Sequence, residues 1–549
     1  MRKNIALLLV IALSSVVFAQ KDKEKNEKHF DIFKSGDIYN AVWRELDINY
    51  VDTLDHDKLN NIAIASMLQS LDPYTVYIPE NQEENLKTMT TGFYGGIGAV
   101  VQKNGDYVMI IEPRFGLPAQ KNGLVAGDEI VEIDGENMKG KSTSAVSEKL
   151  KGVPGTEIRL KIRRNSESKL IEKKFLREAI HINSIEYYGV IADSVGYIQL
   201  NDFTDNSFMD FKSVLTNLSE NNKINKLIID LRDNGGGLVN EAVSISSLFL
   251  PKNTKIVSMK GKSQISERNY KTPFTPIMPD IQIVFLINEM SASASEILAG
   301  AFQDLDRAVV VGERSYGKGL VQSIRTLPYG GYLKVTTAKY YLPSGRCIQS
   351  VDYANSEDGR AKTVSDSLTN EFRTENGRTV RDKSGITPDV FVEQKEGNYI
   401  SYYLYVKNII FDFATKYCQK HKAIAEAKNF AITDADYQDF IAFVKDKQFS
   451  YQLESERMLQ QLKKMVEMEG NEKHTAELFE QLTPILKPDL DRDLVNFRDD
   501  IQRYVEAEIV KRFYYQKGAI EHNLPHDEWV EKGLEVLQNP KTYNEVLKR

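Results

Sequence analysis

The spacing of apolar positions changes along this chain, and each change predicts a different element. The opening run Ile5–Ala19 is almost continuously apolar behind Arg2 and Lys3. It is shorter than the roughly 20 residues of a spanning helix and ends in small residues, with Val17 and Ala19 three and one before a cut, the pattern of a cleaved secretory leader over residues 1–19. Ile38, Val42 and Leu46, then Leu59, Ile62, Leu68 and Leu71, recur at helical spacing until Pro73 in "LDPYTVYIPE" ends the pattern. Residues 20–90 are therefore expected to hold a charged leader and a small helical module.

From Gly92 the period falls to two. "GIGAVVQKNGDYVMIIEP" predicts two strands around Asn104-Gly105, and "DEIVEIDG" a third. "STSAVSEKLKG" reads as a short helix capped by Ser142 or Thr143, and "TEIRLKIRR" as a half-buried strand. Residues 91–178 should form a compact β-rich unit of about 80 residues. After Ala179, "VGYIQL", "KLIIDL", "IQIVFLI" and "RAVVVG" alternate with the helical "NEAVSISSLFL" and "SEILAGAFQDL", and "YLKVTTAKYYL" follows. That alternation predicts a layered α/β core over 179–395 with working loops at strand ends. Beyond residue 396 the strand signals fade, and stripes such as Met458, Leu462 and Met465, or Leu494, Ile501 and Val505, predict a mainly helical region over 396–549.

Composition narrows the function classes. A chain of 549 residues exceeds one ordinary core, and 41% hydrophobic with 27% charged residues is a globular composition. The formal charge is −7, and −9 once a leader carrying Arg2 and Lys3 is removed, so nothing points to nucleic acid. Cys347 and Cys418 permit one disulfide at most, so stability must come from apolar cores. A cleaved leader places the mature chain in the periplasm or outside the cell.

Three stretches carry candidate chemistry. In "MSASASEILAG" the segment Ser293-Ala294-Ser295-Glu296 fits a capping box, yet a serine between a strand end and a helix start is also where a helix N-terminus favours developing negative charge. A serine nucleophile needs a base. Histidines stand at 29, 56, 181, 421, 474, 522 and 526, leaving none within the α/β core after Ile182, so the economical base is a desolvated lysine. "VVVGERSYGKGL" offers Lys318; its resemblance in spacing to a phosphate loop fails at Gly319, where the magnesium-binding hydroxyl would stand. "IIDLRDNGGGLVNEA" places three glycines between a buried strand and a helix, where backbone N–H groups can converge on an oxyanion. Asp230, Arg232, Glu296 and Asp304 are candidates for supporting ion pairs, and no paired-carboxylate or metal-ligand spacing is present.

"LDPYTVYIP", "DLRDNGGG", "SASASEI", "GERSYGKGLVQ" and "GITPDV", in that order, resemble the carboxyl-terminal processing peptidases, or tail-specific proteases, over roughly residues 37–395. The resemblance implies a multidomain α+β protein with a ClpP/crotonase-like peptidase core, an inserted PDZ domain, a helical N-terminal module and no cofactor. It implies Ser293 as nucleophile, since 25 residues separate it from Lys318 as in the family, Lys318 as general base, and Gln322, a helical-turn spacing beyond, as the group orienting the amine. Ser291 and Ser295 then become structural. The oxyanion site would use the amide of Ala294 and one from Gly236 or Gly237, Gly235 being set aside because the family often has proline there. The loop Tyr94, Gly95, Gly96, Ile97 and Gly98 would receive a substrate's terminal carboxylate, with an added strand of substrate on the sheet edge. The expected partners are proteins or peptides with apolar C-terminal tails. A homodimer is one use for the C-terminal stripes, and the competing reading is a non-catalytic PDZ adaptor or scaffold.

Overall fold

The computed structural model describes residues 30–262, 267–353, 362–393 and 397–548; the expected secretory leader and nearly all of the charged leader lie outside them. The chain divides after Tyr77 into two units. In the first, helix α1 (30–49) and helix α2 (His56–Gln69) meet at Trp43 and His56, whose rings lie 5.7 Å apart. Asp55 caps α2 by accepting from the Lys58 N–H at 3.0 Å. Asp72 then folds the "LDPYT" turn by accepting from the Tyr74 and Thr75 N–H groups at 2.8 and 2.7 Å, the local bonding that makes aspartate a turn former.

The second unit opens with the small β structure. β1 (Phe93–Gly96) pairs antiparallel with β7 (Glu178–His181), closing the unit's ends on each other. Between them β2 (Ala99–Asn104), β3 (Tyr107–Pro113), β4 (Glu129–Ile133), β5 (Glu157–Arg163) and β6 (Ile171–Leu176) form a sheet in that order, with β2 at its edge. Strand β5 alternates buried and exposed positions as its sequence predicts. Helix α3 (Thr143–Leu150), capped by Ser142, turns Val146 and Leu150 into the same core.

The α/β core carries a six-stranded sheet in the order β8 (Ile185–Ala192), β9 (Val195–Leu200), β10 (Lys226–Asp230), β13 (Gln282–Ile287), β14 (Val309–Gly312), β17 (Val390–Phe391); only the β8–β9 pair is antiparallel. One face is covered by α4 (Ser207–Asn222), α5 (Val239–Ser246) and α6 (Ala294–Asp304), with Phe211, Phe249, Phe285 and Phe302 fully buried in that layer. A second, antiparallel sheet joins β11 (Lys255–Gly261), β12 (Arg268–Lys271), β15 (Leu320–Thr326) and β16 (Tyr332–Tyr341).

The C-terminal region is helical, and its apolar stripes are used in two ways. Helices α7 (Ile409–Lys420), α8 (Asp434–Asp446) and α11 (Arg498–Asn523) form a core of their own. The last helices, α12 (Glu528–Gln538) and α13 (Pro540–Val546), instead cover the other face of the central sheet, where Trp529, Val530, Val536, Leu537 and Tyr543 pack on Tyr197, Ile228, Val284, Leu286 and Val309. By contrast α9 (Glu454–Met468) and α10 (Glu472–Ile485) leave most of their stripe, including Met458, Leu462 and Met465, exposed. Cys347 and Cys418 are both free thiols. Among the described residues no helix is long and apolar enough to cross a membrane.

Candidate active site

The parallel strands β10 and β13 end side by side, and the loops leaving their carboxyl ends carry the candidate residues, at the edge where open α/β sheets place their sites. The first loop runs from Leu231 to Gly237 and the second from Asn288 to Ser293, where α6 begins. The two are laced together. Ala292 N–H and the Ser295 hydroxyl donate to the Asn234 carbonyl at 3.0 and 2.9 Å, and the Ser291 hydroxyl donates to the Leu231 carbonyl at 2.7 Å.

The three serines therefore do different work. Ser291 and Ser295 are fully buried and their hydroxyls are held by backbone carbonyls. Ser293 is half-buried and sits at φ 58°, ψ −112°, a backbone conformation that an L-residue reaches only under strain of about 1–3 kcal/mol and that concentrates at working sites. Its N–H donates to Glu296 Oε2 at 2.8 Å, which is the carboxylate half of the predicted capping box.

Glu296 does more than cap. It is fully buried, and besides the Ser293 N–H its carboxylate accepts from the Lys318 N–H at 2.9 Å, the Gly317 N–H at 2.7 Å and the Ser315 hydroxyl at 2.6 Å. Burial pushes this carboxyl up, against the four donors that pull it down. One oxygen, Oε2, is thus shared by the backbones of Ser293 and Lys318. A second tie is the Tyr340 hydroxyl, which lies 2.6 Å from the Lys318 carbonyl and 3.3 Å from the Ser293 carbonyl. Lys318 itself is half-buried. The ion pairs expected nearby exist for Asp230 with Arg232, at 2.6 Å, and for Asp304 with Arg346, at 2.9 Å. Glu296 is the member of that set with a different role, and Tyr340 carries no signal in the sequence.

Gln322 is placed otherwise than its spacing suggested. Residues Leu320–Thr326 form strand β15, so no helical turn joins Lys318 to Gln322. A bulge between Val321 and Gln322 re-aims the side chain, whose Nε2 donates to Thr336 Oγ1 on β16 at 3.1 Å. Of the candidate oxyanion donors, Ala294 is the first residue of α6, where helix geometry leaves the N–H without an intrahelical acceptor. Gly236 N–H donates to the Asn234 side chain at 2.9 Å within its own turn, so that N–H is already engaged. Gly236 is required for another reason: at φ +95°, a Cβ there would lie 2.6 Å from the Ala292 carbonyl and 2.7 Å from Ser293 Cβ.

In the β unit, Tyr94, Gly95 and Gly96 belong to strand β1, so the turn proper is Ile97–Gly98, immediately before edge strand β2. Gly95 lets strand and loop touch, since a Cβ there would meet the Gly152 carbonyl at 1.9 Å. An extended segment added to β2 would begin at Gly98, with α3 flanking it.

Three family models match separate stretches of the chain. Residues 194–354 match peptidase family S41, residues 95–174 a PDZ domain, and residues 400–537 the C-terminal helical domain described as that of a probable PDZ-protease. The carboxy-terminal-processing protease of Bartonella bacilliformis is 35% identical over 346 residues, 62% of this chain and 78% of that protein. A protein of Staphylococcus aureus named "Probable CtpA-like serine protease" is 34% identical over 308 residues, 56% of this chain and 61% of its own length. Among solved structures, the photosystem II D1 C-terminal processing protease matches 65% of this chain and 92% of its own at 26% identity, with a TM-score of 0.36. The chain belongs to the S41 family of serine-type peptidases, in the branch that carries a PDZ domain and a C-terminal helical region.

Proposed function

We propose that this protein is a secreted or periplasmic endopeptidase that recognises apolar C-terminal tails through its PDZ domain and cleaves by a Ser-Lys mechanism on a ClpP/crotonase-like core. The observation that carries the reading is the strained backbone of Ser293, at the N-terminus of α6 and tied through one Glu296 oxygen to Lys318. In the first step Ser293 Oγ bonds to the scissile carbonyl carbon while its proton passes to the neutral Lys318 Nζ. The resulting oxyanion is met by the amides of Ala294 and Gly237. Collapse breaks the C–N bond, Lys318 returns the proton to the leaving amine, and water repeats the cycle on the acyl-enzyme. With its Nε2 donating to Thr336, Gln322 keeps its carbonyl oxygen as the acceptor this reading assigns to the lysine amine. The edge of β2 and the Gly98 turn suit strand addition by a substrate tail.

The test is mass spectrometry of a model protein with and without an apolar C-terminal tail, incubated with wild type, Ser293→Ala and Lys318→Ala. Tail-dependent cleavage by wild type alone, rising from mildly acidic to alkaline pH as the amine sheds its proton, is the expected result. Equal cleavage by all three would reject the mechanism.

A further inference from the structure

We infer that the C-terminal segment Asp527–Trp529 is a positioning element of the peptidase site, acting on the glycine turn through Arg232. The inference rests on the serine-peptidase reading above. Arg232 stands five residues before Gly237 and its guanidinium is gripped from two sides. From the end of β10, Asp230 accepts from its Nε at 3.0 Å and its Nη2 at 2.6 Å, and is itself buried and held by the Tyr197 hydroxyl at 2.6 Å. From a position 295 residues away, Asp527 accepts from Nη1 at 3.0 Å and Nη2 at 2.7 Å, a bidentate pair, while the guanidinium carbon lies 5.0 Å from the centre of the buried Trp529 ring. Arg232 keeps 19% of its side chain exposed and Asp527 23%, so the pair is largely shielded from solvent.

This contact is aimed at the turn that carries the candidate oxyanion donors. Past Arg232, Asp233 N–H donates to Asn288 Oδ1 at 2.9 Å, and Asn234 bonds Leu200 through its side-chain nitrogen at 2.6 Å. Each tie fixes one side of the loop to the strand ends. Asp527 supplies the corresponding tie on the side of the C-terminal helices. Its charge alone would work against catalysis, because a second carboxylate near the turn disfavours a developing oxyanion. A gain from Asp527 must therefore come through placement, and the two effects have opposite signs.

Asp527 also caps α12, accepting from the Trp529 and Val530 N–H groups at 3.0 and 3.1 Å. Asp527→Asn separates these duties: asparagine caps as well as aspartate, but its NH2 faces the guanidinium and breaks the bidentate pair. Tyr543→Phe is the structural control, because Tyr543 belongs to the same helical layer but bonds the Ile283 N–H, at 3.1 Å, and the Ile283 carbonyl, at 3.2 Å, near the amino end of β13, opposite the end that carries the loops.

With full-length protein and a tailed peptide, Asp527→Asn should lower kcat on the order of 10-fold with KM little changed. Tyr543→Phe should lower the unfolding temperature and leave kcat as in wild type. Should Asp527→Asn fail to fold, Trp529→Phe should show a smaller kcat loss in the same direction. An unchanged or raised kcat in the folded variant, with Ser293→Ala inactive, overturns the positioning role alone. Ser293→Ala cutting like wild type removes the serine-peptidase reading itself, and this inference with it.

Discussion

Replacing Glu296 by glutamine removes one oxygen from a buried carboxylate that accepts four hydrogen bonds. Whichever oxygen becomes the NH2 group, it faces two donors: Ser293 N–H and Lys318 N–H on one side, Gly317 N–H and the Ser315 hydroxyl on the other. The Ser315 hydroxyl can turn to accept from the NH2, so the favoured flip points the NH2 there and leaves the Gly317 N–H buried without an acceptor, a loss of about 1.5–3 kcal/mol for that bond. Burying a neutral amide in place of an ion returns part of this, because burial already pushes the carboxyl up. The net destabilisation is about 1–3 kcal/mol, or a fall of roughly 2–12 °C in the transition that unfolds the core. Ser293 and Lys318 then keep a neutral acceptor in place of a charged one while Gly317, next to Lys318, loses its anchor, and kcat should fall on the order of 10-fold. Scanning fluorimetry gives the first number, and cleavage of a tailed peptide well below the transition gives the second. Glu296→Gln unfolding with wild type and cutting within about threefold of it would refute the claim that this carboxylate holds nucleophile and base in register.

Three further outcomes follow from other contacts. Gly236→Ala should abolish cleavage and weaken the core, because its Cβ would lie 2.6 Å from the Ala292 carbonyl at a φ of +95°; a fully active variant in a peptide assay would contradict that packing. Ending the chain after Asn523 strips Trp529, Val530, Val536, Leu537 and Tyr543 from the sheet. At about 1.5–3 kcal/mol for each buried side chain the loss reaches about 10 kcal/mol, comparable with a domain's whole stability. The product should be insoluble or rapidly trypsinised, and cooperative unfolding at the wild-type temperature would show that the layer is dispensable. Burial pushes the Cys418 thiol up to about 11, so at pH 8 its native alkylation by iodoacetamide should run about two orders of magnitude slower than that of an exposed cysteine. Peptide mapping of native and denatured samples checks this, and equal labelling in the two would refute it.

How much of this was legible in the sequence depends on how local each feature is. Strands β10 and β13 announce themselves as unbroken apolar runs, which also say that both faces of the sheet are covered. Which segment covers the second face is not written locally, since α12 and α13 lie hundreds of residues downstream of the strands they protect. The capping relation of Ser293 and Glu296 is a four-residue pattern and could be read. The further bonds from Glu296 to Ser315, Gly317 and Lys318 span 19 to 22 positions and have no periodic signature. Nor can a sequence report φ, the quantity that sets Ser293 apart from Ser291 and Ser295. The helical-turn spacing of Gln322 misled because four residues of separation carry no information about strand or helix. The alternation within "LVQSIRT" and the glycines before it were the better guide to β15.

The account turns on one alcohol being activated by one amine, and covalent labelling tests this most directly. Wild-type protein treated with a fluorophosphonate, digested and sequenced by mass spectrometry should carry the adduct on Ser293, and Lys318→Ala should lose it while remaining folded. Label on Ser291 or Ser295, or undiminished label on Ser293 in the Lys318→Ala protein, would contradict it.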